Sequence, residues 1–261
     1  MESGAPSPKD GWPSWTQAVV SAWRGEDPPR THVRLDDGEI VLPAHHPHRT
    51  VQSVRPMSPA PWQLSEDVHS ADAVMPALIG GAEAIRLIGC DHPAVWLDGV
   101  IREYVDIEWV HDAALGTNVD PAGLPVGGGV VLDWWSGGDL SAHCHALDAL
   151  DRNDLRACLI SDATFSGRTR SERLALVMRA LEEAIEELGD AGRISLDLTL
   201  DRDPVVALAQ AEALKRLVAD RVQAGSWPRL RAVPDASGLS PDCGRDNLIR
   251  QVTSSAAGVL S

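Results

Sequence analysis

Asp162 and Thr164, followed by Arg168 and Arg170, form the polar cluster with the most chemical promise in this chain. The apolar run Ala157–Ser161 just before them reads as a strand. The C-terminal ends of parallel strands are where barrel proteins keep their chemistry. Two arginines there could bind a carboxylate or a phosphate. The competing reading is architectural: Ser171 caps a helix over 171–189 and the arginines face solvent. His143-Cys144-His145, with His45, His46 and His48, has the residue types of a zinc site. Side chains two apart on a helix diverge by about 200°, so His143 and His145 would not converge there. Surface histidines are the alternative. Gly127-Gly128-Gly129 and Gly137-Gly138 could cradle a phosphate, but neither fits Gly-x-Gly-x-x-Gly and Gly127–Gly129 precede a strand. Asp133-Trp134-Trp135 reads as a buried or interface patch rather than a base-stacking surface.

The elements that must carry these groups are legible as periodicity. Short apolar runs at Ala84–Ile88, Asp106–Val110, Val130–Trp134, Ala157–Ser161, Ile194–Leu200 and Leu230–Val233 predict strands. Between and after them, 171–189, 204–224 and 245–260 predict helices. In 171–189, Leu174, Val177, Leu181, Ile185 and Leu188 share one face, and Glu182, Glu183, Glu186 and Glu187 the other. Strand–helix alternation implies a mainly parallel sheet with helical crossovers, hence α/β. Upstream, 14–24 has helical apolar spacing. Asp37-Gly38 between Thr31–Leu35 and Glu39–Leu42 predicts a small hairpin within a Pro-rich stretch. The chain therefore divides into an N-terminal arm, 1–61, and an α/β domain, 62–261.

Composition narrows the function classes. With 261 residues the chain can bury a sizeable core. Its formal charge of −15 disfavours nucleic acid and anionic membranes as partners. No run approaches the apolar length of a membrane span, and Met1–Asp10 lack the pattern of a secretory signal. Cys90, Cys144, Cys158 and Cys243 are widely spaced with no Cys-x-x-Cys, which suits reduced thiols in the cytoplasm. Nine Trp stand beside one Tyr (Tyr104) and one Phe (Phe165), so most Trp should anchor core or interface.

Several motifs, in order, resemble the barrel domain of the methylmalonyl-CoA mutase family, and specifically its non-catalytic small (beta) subunit. They are Trp15 with its helix, Arg34–Pro43, Trp62 with Gly80–Ile85, Leu115–Pro121 with Asp139-Leu140, Ser161–Thr164, Asp235–Gly238, and Asn247–Arg250. The resemblance implies a TIM-barrel-like (β/α) domain and an isomerase family acting on acyl-CoA. It also implies heterodimeric pairing with a catalytic chain that binds adenosylcobalamin. The departures set the expected role. Where the family places Tyr-His after the strand near Ser161, this chain has Phe165 and Ser166. Asp67-Val68-His69 is followed by Asp72 where a cobalamin loop needs Gly, and reads as a helix-capping Asp with an exposed His. The resemblance implies further barrel strands beyond the helix after Asn247. The expectation is an incomplete barrel whose open edge is covered by a partner, by self-association or by the arm. The chain is expected to bind no cofactor or metal itself and to be structural. The alternative is a cobalamin-independent acyl-CoA or small-molecule binding protein. A third reading, an independent enzyme using the Asp162, Arg168 and Arg170 mouth, ranks below both.

Overall fold

The computed structural model describes residues 31–35, 38–42, 63–111, 124, 127–135, 138–222 and 226–235. The chain divides into two compact units, Met1–Ser58 and Pro59–Ser261. In the first, β1 (Thr31–Leu35) and β2 (Gly38–Leu42) pair antiparallel, Leu35 opposite Gly38, as the Asp-Gly turn predicts. The expected helices at 14–24 and 245–260 lie outside the described residues. So do Trp15, Trp62, the segment 115–121, His45, His46, His48 and Cys243.

The second unit alternates strand and helix. The strands are β3 (Ser65–Val68), β4 (Ala84–Ile88), β5 (Asp106–His111), β6 (Gly129–Asp133), β7 (Arg156–Ser161), β8 (Ile194–Leu200) and β9 (Arg229–Pro234). The helices are α1 (Ala71–Ile79), α2 (Pro93–Trp96), α3 (Leu140–Ala149), α4 (Arg170–Leu188) and α5 (Pro204–Ala219). All seven strands pair parallel, each with its sequence neighbour. The result is an α/β fold with a curled, half-barrel sheet, compatible with an incomplete (β/α) barrel. The strand β3 and the helices α1, α2 and α3 carry no strong periodic signal and were not expected.

Alternation builds the core. Ile85 and Leu87 of β4, Ile107 and Trp109 of β5, Val130 and Leu132 of β6, and Ile194, Leu196 and Leu198 of β8 join one apolar cluster. Leu147 of α3, Val177, Leu181 and Ala184 of α4, and Ala207, Leu214 and Val218 of α5 complete it. At about 25 cal/mol per Å² of apolar area, such burial is the main force holding helices to sheet. Helix ends follow local chemistry. Thr169, rather than Ser171, caps α4: it forms a reciprocal capping box with Glu172, and Gly189 closes the helix in the left-handed region. Asp203 caps α5, with Pro204 in its first turn, and Asp139 caps α3 through the Ala142 N–H. α5 ends at Ala219, five residues short of the expected 224, because Asp220 caps it and turn residues follow.

The sheet edges are β3 and β9. They are not simply open. Arg231 of β9 reaches Asp67 of β3, Nη2 to Oδ1 at 2.7 Å, and Arg229 Nη2 lies 3.4 Å from Gln63 Oε1. A closed barrel of this class has eight strands; here side chains bridge the two edges of seven. Asp67 is thus a strand residue paired with an arginine and not a helix cap; Ser70 occupies the cap position of α1.

Candidate functional site

The sheet's other face, away from the apolar cluster, carries charge. Strand register makes the arrangement possible. Asp67, Arg86, Glu108, Gly129 and Arg156 are register partners across β3 to β7. Ser195 pairs in register with Arg229, and Asp197 with Arg231, across β8 and β9. Curling then brings distant strands together. Arg86 donates from Nε and Nη2 to Glu108 Oε2 at 2.9 and 2.7 Å, and from Nη1 and Nη2 to Asp197 at 2.5 and 3.0 Å. Arg156 Nε donates to Glu108 Oε1 at 2.7 Å and its Nη2 to Asp106 at 2.6 Å. Arg229 pairs with Asp106, Ser195 Oγ donates to Glu108, and Arg231 lies 3.5 Å from Asp197.

Four arginines (Arg86, Arg156, Arg229, Arg231) thus face four carboxylates (Asp67, Asp106, Glu108, Asp197), a charge-balanced set inside the curl. Arg86, Glu108 and Asp197 are buried. Burial alone would raise the Glu108 pKa; the charges of Arg86, Arg156 and Arg229 and the Ser195 hydroxyl outweigh it and hold the carboxyl at about 2. Burial pulls Arg86 down, but Asp197 and Glu108 raise it above its ordinary value. Arg229 is lowered, since burial and its arginine neighbours outweigh Glu108 and Asp106. Gly129 serves this network. A Cβ there would stand 3.0 Å from Glu108 Cγ and 3.4 Å from Arg156 Cβ. Its missing side chain lets those two residues meet across β6. Gly127–Gly129 lie at the N-terminal end of β6, as expected from their place before a strand, and at the opposite end of the sheet from Asp162 and Thr164. Gly127 is tied to Asp154 and Arg156.

The four sequence candidates sit together at the C-terminal end of β7, but in different roles. Asp162 is buried; its Oδ1 accepts from the Thr199 N–H at 2.7 Å, and Arg173 Nη1 lies 3.5 Å from Oδ2. Burial raises its pKa, opposed by Thr199 and Arg173. It therefore stitches β7 to β8 and α4. Arg170 pairs with Asp201, which joins the starts of α4 and α5. Thr164 and Arg168 are exposed. At the adjacent end of β6, Trp135 is exposed and packs edge-on against Phe165, ring centroids 4.9 Å apart.

His143 is not a surface residue. It is buried under α3, its Nε2 2.7 Å from the Val130 carbonyl, and it stacks on His111 at 5.7 Å. Burial lowers its pKa. His145 is exposed. No group of three or more potential metal ligands occurs among the described residues. In the Asp67–His69 string, Asp67 pairs with Arg231, His69 is exposed, and Asp72 stands where a cobalamin loop needs Gly. Burial raises the Cys90 and Cys144 thiols to about 11 and Cys158 higher still, so none is a ready nucleophile.

No family model and no curated protein matches this chain. Among the described residues, no helix is long and apolar enough to cross a membrane.

The interior network was missed by sequence reasoning, though a signal existed. Arg86, Glu108 and Asp197 each sit between two apolar residues in the middle of a strand. A charge centred in a buried strand requires a partner, and three in separate strands of one sheet suggest each other.

Proposed function

We propose that this chain is a non-catalytic barrel subunit of methylmalonyl-CoA mutase type, which pairs with a catalytic cobalamin-dependent chain and binds no cobalamin itself. The observation that carries this reading is the filled interior. Eight charged side chains occupy the space within the curl, and they replace the dry, open pocket that radical rearrangement of a thioester requires. The mouth supports it: Ala163, Thr164, Phe165 and Ser166 follow β7, without Tyr or His. The sole tyrosine, Tyr104, is exposed just before β5, at the opposite end of the strands. The role is structural, in a reducing, cytoplasmic setting that suits the unpaired Cys90, Cys144 and Cys158.

Affinity purification of the tagged chain from its source cells tests the pairing. The expected result is a stoichiometric partner carrying cobalamin. The chain purified alone should show no turnover of methylmalonyl-CoA with added adenosylcobalamin and retain no chromophore after desalting. Turnover by the isolated chain, or purification with no partner at all, would overturn the reading. The exposed groups at the ends of β6 and β7 favour a second reading, a cobalamin-independent binding protein for an acyl-CoA or other small molecule.

A further inference from the structure

The helix α3 is held to the sheet by few apolar side chains. Leu140, Cys144 and Leu147 are buried, and the other buried position is His143. Its Nε2 donates to the Val130 carbonyl of β6 at 2.7 Å. Its ring stacks on that of His111 of β5, with centroids 5.7 Å apart and planes 14° from parallel. His111 is itself buried and meets Trp109 edge-on at 5.6 Å, and Trp109 Nε1 donates to the Cys90 carbonyl at 2.7 Å. Two imidazoles are thus shut between a helix and a parallel sheet, on the face away from the interior ion network. The charges that bear on His143 are those of His111 and Arg193, and both oppose a proton on its ring. Arg193 holds Asp148 at the end of α3, Nη1 to Oδ1 at 3.1 Å, so an acid of the helix itself is already taken. Asp139 is occupied in capping the first turn, and His145 is exposed. The thiols packed nearby, Cys144 on α3, Cys158 on β7 and Cys90 at the Trp109 indole, are kept protonated by burial. Glu187 of α4 bears on Cys144, and Asp133 of β6 on Cys158.

We propose that His111 and His143 are a proton-operated latch on α3: neutral, they hold the helix against β5 and β6, and charged in mildly acidic solution they release it while the sheet stays folded. The Nε2–H of His143 is committed to Val130, so a further proton must enter at Nδ1. The imidazolium so formed is buried beside a second imidazole, which costs far more than a neutral ring there. Closed, His143 holds a proton less readily than an ordinary histidine; open to water, it holds one as readily. Acid therefore favours the open helix, from the ordinary histidine value near 6.5 downwards. The sheet answers to a different window. Its interior network is lost only as Glu108 takes a proton, between 4.5 and about 2. From pH 6.5 to about 5 the latch titrates and the network stays charged. The departure of α3 breaks no strand pairing, because every strand of the sheet is bonded to other strands and α3 is a crossover. The latch does not depend on the pairing with a catalytic chain.

Hydrogen–deuterium exchange of the full chain at about pH 7, 6 and 5, read by mass spectrometry and corrected for the intrinsic effect of pH on exchange, tests it. Peptides from α3 should lose protection below about pH 6.5, by up to about tenfold per pH unit for each proton taken up on opening. Peptides from β5, β7 and β8 should keep theirs over the same range. His143→Gln retains an N–H donor for the Val130 carbonyl but cannot charge, and it should flatten the response of α3. His111→Gln removes the second ring and should lessen the slope. Circular dichroism at pH 7 establishes that each variant folds, and the wild-type profile alone decides the matter if one does not. Protection lost by α3 and the strands together, α3 still fully protected at about pH 5, or a full slope retained in either variant would overturn the latch.

Discussion

Glu108→Gln removes one charge from the centre of the interior network. Glu108 accepts from Arg86, Arg156 and Ser195 and lies 3.8 Å from Arg229. The substitution keeps the shape and leaves three buried or half-buried guanidiniums short of one negative charge. Two routes give its magnitude. The carboxyl falls from an ordinary 4.5 to about 2 on folding. At 1.36 kcal/mol per pH unit, that is about 3 kcal/mol of stability. Breaking a buried ion pair by removing one partner costs about 3–5 kcal/mol. The routes agree, and about 3 kcal/mol is a large fraction of a domain's total stability. The pH sign follows from the lowered pKa. The contribution is complete above the unfolded value near 4.5 and is lost as pH falls from there towards 2. Urea titrations of wild type and Glu108→Gln at pH 7 and pH 3.5 measure both effects. The variant should be about 3 kcal/mol less stable at pH 7, and the gap should shrink at pH 3.5. A double-mutant cycle with Arg156→Met should return a coupling of about 1–3 kcal/mol. A loss below 1 kcal/mol at pH 7, or an unchanged gap at pH 3.5, would refute the reasoning that this network is satisfied only when ionised.

Gly129→Ala should cost about 1–3 kcal/mol by chemical denaturation, because the new methyl meets Glu108 Cγ at 3.0 Å and Glu108 is anchored on both sides. Asp162→Ala should cost about 1–3 kcal/mol by leaving the Thr199 N–H unpaired, whereas Asp162→Asn keeps an acceptor and drops a buried charge, and should stay within about 1 kcal/mol of wild type. His143 has its pKa lowered by burial, so the unfolded chain binds its proton first; stability should fall as pH drops below the unfolded value near 6.5, and a His143→Gln variant should show a shallower loss between pH 7 and 5 in thermal melts.

Six of the seven strands in the sheet were legible within a residue or so, because Ile, Leu and Val runs bounded by turn residues must be buried. Ala84–Ile88 and Ile194–Leu200 match their expected bounds. β3 was not legible: Ser65–Val68 is four residues with two acids, and only its place beside β4 makes it a strand. The short helices α1 and α2, each holding a proline, were missed for a related reason: local signal too weak to outvote a loop. α3 was missed because its one apolar stripe is interrupted by His143, which only burial against the Val130 carbonyl turns into a core residue.

What the amino-acid sequence determined by itself was the α/β alternation, the main helix faces and the neighbourhood of Asp162, Thr164, Arg168 and Arg170. These are local properties, carried by periods of two and 3.6 residues and by adjacency in the chain. What only the tertiary structure decided was which of those polar groups are consumed and which are presented. Arg170 and Arg173 meet Asp201 and Asp162 through helix placement, leaving Arg168 exposed. Arg86 and Asp197 stand 111 residues apart and meet because the sheet curls. An ion pair depends on the distance between two side chains in space, and for residues on strands four places apart that distance is set by register, stagger and curvature, none of which is written in either residue's local sequence.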